Sequence, residues 1–259
     1  MTKIIDTHEH YDDERFDNDR DGLLMGMKEQ GVDIIVNASA SVQGCMESMK
    51  LAEKYEFVYS MAGIHPSDVL DLETPGVYDE IKEIATNGKC VAIGEIGLDY
   101  YWDEPDREIQ KKWFGNQLQF AREIKKPVNI HSRDAYSDTV AIMERYKAKD
   151  IGGIIHCFSY GVDGAKRFLD MGFCLGIGGV VTFKNGKKLK EVVEYAPIDR
   201  IVLETDCPYL SPEPNRGKRN DSTNIKYIAE KIAEIKNMTA AEVIEITSNN
   251  ALRVYGIDR

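Results

Sequence analysis

Short apolar runs alternate with helix-length amphipathic segments from one end of the chain to the other, and this alternation restricts the fold more than any other feature. The runs cover residues 3–7, 32–37, 57–64, 90–94, 127–130, 152–155, 173–177 and 200–204. Between them, apolar residues recur at helical spacing over 17–29, 42–55, 77–86, 134–147, 162–171 and 191–195, and a helical tail is expected over 223–236 and 240–255. An aromatic-rich stretch, residues 98–105, is expected to open a longer helix reaching about Lys125. Strands joined through helices need crossover connections and so build a parallel sheet. Eight such strands in 259 residues predict the α/β class, as a (β/α)8 TIM barrel, for which about 250 residues is typical. No linker or shift in composition interrupts the pattern, so residues 1–259 are expected to form one domain.

A doubly wound open sheet is the competing architecture, and the placement of reactive side chains argues against it. All five histidines lie where an apolar run ends. His8 and His10 follow Lys3-Ile4-Ile5-Asp6-Thr7, His65 follows residues 57–64, His131 follows Pro127-Val128-Asn129-Ile130, and His156 follows Gly152-Gly153-Ile154-Ile155. Glu95 and Asp206 finish similar runs. The strands of a closed barrel share one rim at their C-terminal ends, so these side chains would meet there. An open sheet gathers its ligands only at the point where strand order reverses.

The grouping predicts a metal site at that rim. Side chains two apart on a strand share a face, so His8 and His10 are expected to point into the mouth together while Glu9 points away. The expected ligands are His8, His10, Glu95, His131, His156 and Asp206. Their nitrogen and oxygen donors suit two divalent ions drawn from Zn, Mn, Mg, Ni, Co or Fe without selecting among them, although several imidazoles make a pure Mg²⁺ site less comfortable. Glu95, on the central strand of the set, can bridge two cations about 3.5–4 Å apart. One ion is then expected on His8, His10, Glu95 and Asp206, and the other on Glu95, His131 and His156. A water activated there would be the nucleophile, with Asp206 serving as both ligand and proton acceptor.

Substrate contacts are assigned to His65, Arg133, Arg216 and Arg219. His65-Pro66 reads either as a turn or as a donor near the mouth. Arg133, two residues past His131, can fork onto a phosphate or pair with Asp134. Arg216 and Arg219 lie in the basic run Arg216-Gly217-Lys218-Arg219-Asn220 after Asp206, whereas the run at 184–190 reads as solvated surface. The five cysteines contain no C-x-x-C pair, and Cys157 and Cys207 are read as packing residues rather than ligands or nucleophiles. A net charge of −11 excludes a protein that coats nucleic acid through a basic face, but not an enzyme that grips one phosphate with metal.

Several of these segments form a familiar series. Asp6-Thr7-His8-Glu9-His10, Gly63-Ile64-His65-Pro66, Ala92-Ile93-Gly94-Glu95-Ile96-Gly97-Leu98-Asp99-Tyr100, His131-Ser132-Arg133-Asp134-Ala135, His156-Cys157-Phe158 and Glu204-Thr205-Asp206-Cys207-Pro208-Tyr209-Leu210 together resemble the TatD family of metal-dependent hydrolases. Arg216-Gly217-Lys218-Arg219-Asn220 matches that family's loop after the aspartate. The resemblance implies a barrel of the amidohydrolase type, with Glu95 where many relatives carry a carboxylated lysine. It also implies a complete two-metal site, because the first His-x-His is intact, and a metal-dependent deoxyribonuclease trimming DNA from a 3′ end. Some proteins of this type act on other phosphodiesters or on the ester of mischarged tRNA.

The leading expectation is therefore a phosphodiesterase of the 3′–5′ exodeoxyribonuclease type acting on DNA ends. The rival is an amidohydrolase-type enzyme for a small amide, lactone or ester, and a metal-storage or metal-sensing protein is third. The run Tyr100-Tyr101-Trp102 and the basic loop favour nucleic acid, since stacking plus phosphate contacts is what they can supply. No basic segment followed by an apolar stretch opens the sequence, and no run approaches the roughly 18 residues of a membrane helix. The expectation is a soluble, cytoplasmic protein without an obligate protein partner.

Overall fold

The computed structural model describes residues 3–102 and 104–258, which leaves Asp103 of the aromatic stretch outside the described residues. Eight parallel strands pair strictly in chain order: β1 (Ile4–Glu9), β2 (Val32–Asn37), β3 (Val58–Ala62), β4 (Cys90–Asp99), β5 (Val128–Arg133), β6 (Gly153–Ile155), β7 (Cys174–Ile177) and β8 (Ile201–Leu203). The crossovers carry α1 (Arg20–Gly26), α2 (Val42–Lys54), α3 (Val77–Ala85), α4 (Arg107–Ile124), α5 (Tyr136–Arg145), α6 (Val162–Asp170) and α7 (Lys187–Tyr195). After β8 come α8 (Ile225–Lys236) and α9 (Ala240–Tyr255). The architecture is the (β/α)8 barrel, nearly closed.

Side chains and loop amides complete the seam between β8 and β1. Asp206 N–H donates to His8 O at 2.9 Å, Thr7 Oγ1 to Leu203 O at 3.0 Å, and Thr205 N–H to the Asp6 carboxylate at 2.9 Å. These bonds fix the loop carrying Asp206 against the strand carrying His8. Two apolar clusters build the core. The larger lies between the strands and the helices, with Phe114, Leu118, Phe168 and Ile228 fully buried. The smaller joins Ile5, Val36, Met61, Ala92, Ile154, Cys174 and Val202, residues from strands all round the ring that can touch one another only inside it. This packed interior forms a floor, so only the mouth is left for chemistry.

Several boundaries differ from the sequence expectation. β4 does not end at Glu95 but runs on to Asp99, pairing Gly97 with His131 and Asp99 with Arg133. Gly97 permits this: its φ is +148°, and a Cβ there would lie 1.9 Å from His131 O. The next helix accordingly begins at Arg107 rather than within residues 98–105, capped by Asp106, which accepts from Glu108 N–H at 2.9 Å. α1 is shorter than expected because Gly22 and Gly26 weaken it from within. Among the described residues no helix is long and apolar enough to cross a membrane.

β6 makes the close approach testable. Gly153 has φ +149°, and a Cβ on it would stand 2.0 Å from Val128 O of β5. Gly153→Ala is expected to cost about 2–4 kcal/mol, combining backbone strain with overpacking. Urea denaturation should show the loss as a lower midpoint, and an unchanged midpoint would mean that β5 can yield.

Candidate metal centre

The mouth of the barrel holds a cavity of about 550 Å³, reached by His10, His65, Glu95, His131, His156 and Asp206. His8 lies beneath it, fully buried. His8 and His10 are each oriented by the partner of Nδ1, which fixes where the Nε2 lone pair points. His8 Nδ1–H donates to Asn129 Oδ1 at 2.9 Å, and His10 Nδ1–H donates to Ala38 O at 3.2 Å. Both Nε2 lone pairs therefore turn inward, 3.2 Å apart. Two lone pairs that close require a shared proton or a cation.

Carboxylates surround this pair. Glu95 Oε2 is 3.4 Å from His8 Nε2 and 3.9 Å from His10 Nε2, while Asp206 Oδ1 is 3.5 Å from His10 Nε2. His156 Nε2 stands 3.7 Å from Asp206 Oδ1 and 3.8 Å from Glu95 Oε1, and its Nδ1 faces Glu204 Oε1 at 3.3 Å. His131 is held between two acids, Nδ1 2.8 Å from Glu95 Oε1 and Nε2 3.0 Å from Asp99 Oδ2.

The electrostatics follow from this crowding. Burial opposes the charge of Glu95, but His156, His8 and His65, with the His131 hydrogen bond, hold its carboxyl well below the usual range. Asp206 is likewise lowered against the effect of burial, by the His10 hydrogen bond and the charges of His156, His10 and His8. Burial disfavours a charged His131, yet its bonds to Asp99 and Glu95 raise it to about 9. His10 also rises to about 9, because Asp206 and Glu95 outweigh its burial. His8 moves the other way through burial and the neighbouring His156. Protons here balance ionised acids, a task a divalent cation performs as it displaces them.

The donor set fits such a cation. Among the described residues, three groups have ligand atoms within 4.8 Å of one another: His8, His10 and Glu95; His8, His156 and Asp206; and His65, Glu95 and His131. Glu95 belongs to two of these, as a bridge must. The expected second trio of Glu95, His131 and His156 does not close in one group. His131 swings toward β4 and His65, whereas His156 stacks on His8 with ring centroids 3.4 Å apart.

His65 does both things the sequence allowed. Its Nδ1 accepts from Ser67 N–H at 3.1 Å and caps the 3₁₀ segment Pro66–Glu73. Burial and His131 push its pKa down to about 3, so the ring is neutral and Nε2 carries the remaining proton, 3.9 Å from Glu95 Oε1. It is a hydrogen-bond donor aimed into the cavity. Arg133 also lines the cavity, its guanidinium 3.8 Å over the Tyr101 ring, and it does not pair with Asp134.

The structure does not bring Arg216 and Arg219 to this cavity. Arg219 forks onto Asp19 at 2.8 and 2.6 Å and donates to Arg15 O, while Arg216 lies 4.1 Å over Phe183. Their loop is an anchor instead: Asn220 Nδ2 donates to Thr205 O and Tyr209 O, holding the segment around Asp206. Cys207 is buried and Cys157 half-buried, and neither joins a donor group among the described residues. Sequence reasoning missed Asp99 and Asn129, which hydrogen-bond His131 and His8, and Glu204, whose carboxylate faces His156 Nδ1 at 3.3 Å. Glu9 points away from the mouth, as expected, but it is fully buried, and burial beside Asp6 raises its carboxyl well above the usual range.

Known proteins are similar to this chain in sequence and in fold. The family model described as TatD related DNase matches residues 5–256. The metal-dependent hydrolase YabD of Bacillus subtilis strain 168 is 44% identical over 255 residues, covering 98% of this chain and 100% of that protein. The metal-dependent hydrolase YcfH of Escherichia coli K12 is 34% identical over 258 residues, covering 98% and 96%. Among solved structures, the TatD homologue YjjV of Escherichia coli K12 superposes with a TM-score of 0.91 at 27% identity, covering 98% of each chain. With its barrel and its nitrogen and oxygen donor set, this chain belongs to the TatD family of metal-dependent hydrolases.

Proposed function

We propose that the chain is a deoxyribonuclease that removes nucleotides from the 3′ end of single-stranded DNA. The observation that carries this reading is that His65 and Arg133, two donors suited to phosphate oxygens, reach the same cavity as the metal-ligating set. His8, His10, Glu95 and Asp206 would hold one divalent ion, and Glu95 with His131 would hold a second, which His156 could join only by leaving its stack on His8. A cation bound there supplies Lewis acidity toward a phosphoryl oxygen and lowers the pKa of water. The chain's own groups do the rest. Glu95 stays ionised between the imidazoles, Arg133 forks onto a nonbridging oxygen, and His65 Nε2–H donates to another. Asp206 takes the proton of the attacking water and delivers it toward the departing oxygen.

One observation favours the rival substrate class. The cavity is lined by the carboxylates of Asp12, Asp13, Glu95, Asp99 and Asp206 against the single guanidinium of Arg133. Without cations such a mouth repels an anion, and an uncharged lactone, amide or ester would enter more easily. Metal-loaded protein incubated with end-labelled single- and double-stranded DNA, beside a panel of lactones, amides and an aminoacyl ester, separates the two. The expected result is a ladder shortening from the 3′ end of the single strand, abolished by chelator and restored by divalent metal. Turnover confined to the uncharged panel would replace the nuclease reading.

A further inference from the structure

We infer that Trp102 is a stacking wall for the terminal base of a single-stranded DNA end, an inference that rests on the nuclease reading and names how its substrate is held. Trp102 is 58% exposed and Tyr101 54%, although both are large apolar side chains in a protein that leaves only four of its 23 aromatic residues exposed. An indole used for packing is largely buried, so one left open beside a reactive cavity points to a ligand. Trp102 lines the cavity that holds Glu95 and Arg133.

Its position is braced. Tyr101 N–H donates to Asp99 Oδ1 at 2.9 Å, which ties the start of the loop to the end of β4. The Tyr101 ring meets Trp102 edge to face, with centroids 4.8 Å apart and planes at 89°, and also carries the Arg133 guanidinium at 3.8 Å. Arg133 takes the face of Tyr101, and the exposed part of the indole remains for another ring.

Charge fixes the direction of approach. In a ring of eight strands paired in chain order, β1 and β5 stand opposite each other. Asp12 and the Arg15-paired Asp13 follow β1, whereas at the end of β4 Asp99 is paired with His131, and Arg133 at the end of β5 has no carboxylate partner among the described residues. An anionic strand is therefore turned toward the β4–β5 side, past Trp102. A base stacked there leaves its phosphate near Arg133 and the donor set. The cavity, about 550 Å³, is the size of a small-ligand site and takes a nucleotide unit, not a duplex. Every base has a π-face, so the wall accepts ends without regard to sequence.

The test uses metal-loaded wild-type protein, Trp102→Ala and Trp102→Phe on short single strands ending either in a base or in an abasic sugar. Wild type is expected to show a KM about 5- to 100-fold lower for the base-bearing end, the range of base–aromatic stacking. Trp102→Ala should erase that preference, raising KM more than it lowers kcat, and Trp102→Phe should restore most of it. A Trp102→Ala protein that keeps the preference, or that weakens both substrates equally, overturns the wall. So does a change in its oligomeric state on gel filtration, which would make the indole a contact between copies.

Binding supplies a readout independent of cleavage. The chain has two tryptophans, and Trp113 is only 7% exposed, so quenching by a phosphorothioate-ended strand reports Trp102. Base-dependent quenching without cleavage keeps the wall and removes the nuclease reading. Cleavage without base dependence keeps the nuclease and removes the wall. Neither cleavage nor quenching removes both.

Discussion

Glu95→Ala is expected to lose both metal ions and, with them, turnover. Glu95 is the one residue shared by the His8–His10 group and the His65–His131 group, and its two oxygens face different sides. Oε2 lies 3.4 Å from His8 Nε2, and Oε1 lies 2.8 Å from His131 Nδ1. Removing the partners that merely orient a metal ligand costs about 10- to 100-fold in affinity or activity. Removing a bridging ligand should exceed that for each ion. His131→Ala, by contrast, should chiefly weaken one ion, because it touches only the Glu95–Asp99 side of the cavity. Elemental analysis after dialysis against metal-free buffer distinguishes these cases, with circular dichroism to confirm that the barrel persists. A normal metal load in Glu95→Ala would remove the bridging role. Equal loss of both ions in His131→Ala would show one coupled site instead of two.

The strand-end groups were legible in the sequence for a physical reason. A hydrophobic run that stops at an imidazole or a carboxylate marks a place where a buried strand meets a polar opening. In a parallel barrel all such places share one rim. His8, His10, Glu95, His131, His156 and Asp206 were found this way, and the structure gathers them around one cavity or directly beneath it. What local pattern cannot encode is which side chains meet across the ring. Asn129 sits inside an apolar strand and looks like an interruption until His8 is seen to donate to it. Glu204 is 0% exposed and matters through His156, whose strand is two away in the ring.

Asp99 was hidden by an error of length. A strand read as ending at Glu95 leaves Asp99 in the stretch expected to open the next helix, whereas Gly97 lets β4 continue and places Asp99 against His131. Arg219 shows the opposite failure. A basic loop beside a suspected site suggests a phosphate grip, but its partner, Asp19, lies 200 residues earlier and neutralises it. Sequence spacing reads periodic burial well and long-range pairing poorly.

Asp206→Asn should keep the fold and the cavity while lowering kcat by roughly 10²- to 10⁴-fold, the loss that follows removal of a positioned acid–base group. The backbone accepts the change. Asp206 has φ +55°, and asparagine is among the few residues that adopt this left-handed region readily. Its N–H would still donate to His8 O, a bond of 2.9 Å that holds the loop to β1. The chemistry does not survive the change. Burial resists the charge of Asp206, but His10, His156 and His8 keep the carboxyl below its usual range, so at neutral pH it is ionised and ready to take a proton. An amide of the same shape has no such capacity. It can still present an oxygen to a cation, so metal loss should be smaller than in Glu95→Ala. Measured together, metal content and single-turnover rate on a 3′-labelled single strand decide the matter. Near-full metal with a collapsed rate assigns the proton transfer to Asp206. Near-normal rate with normal metal would pass that role to another group, and parallel loss of metal and rate would leave Asp206 a ligand alone.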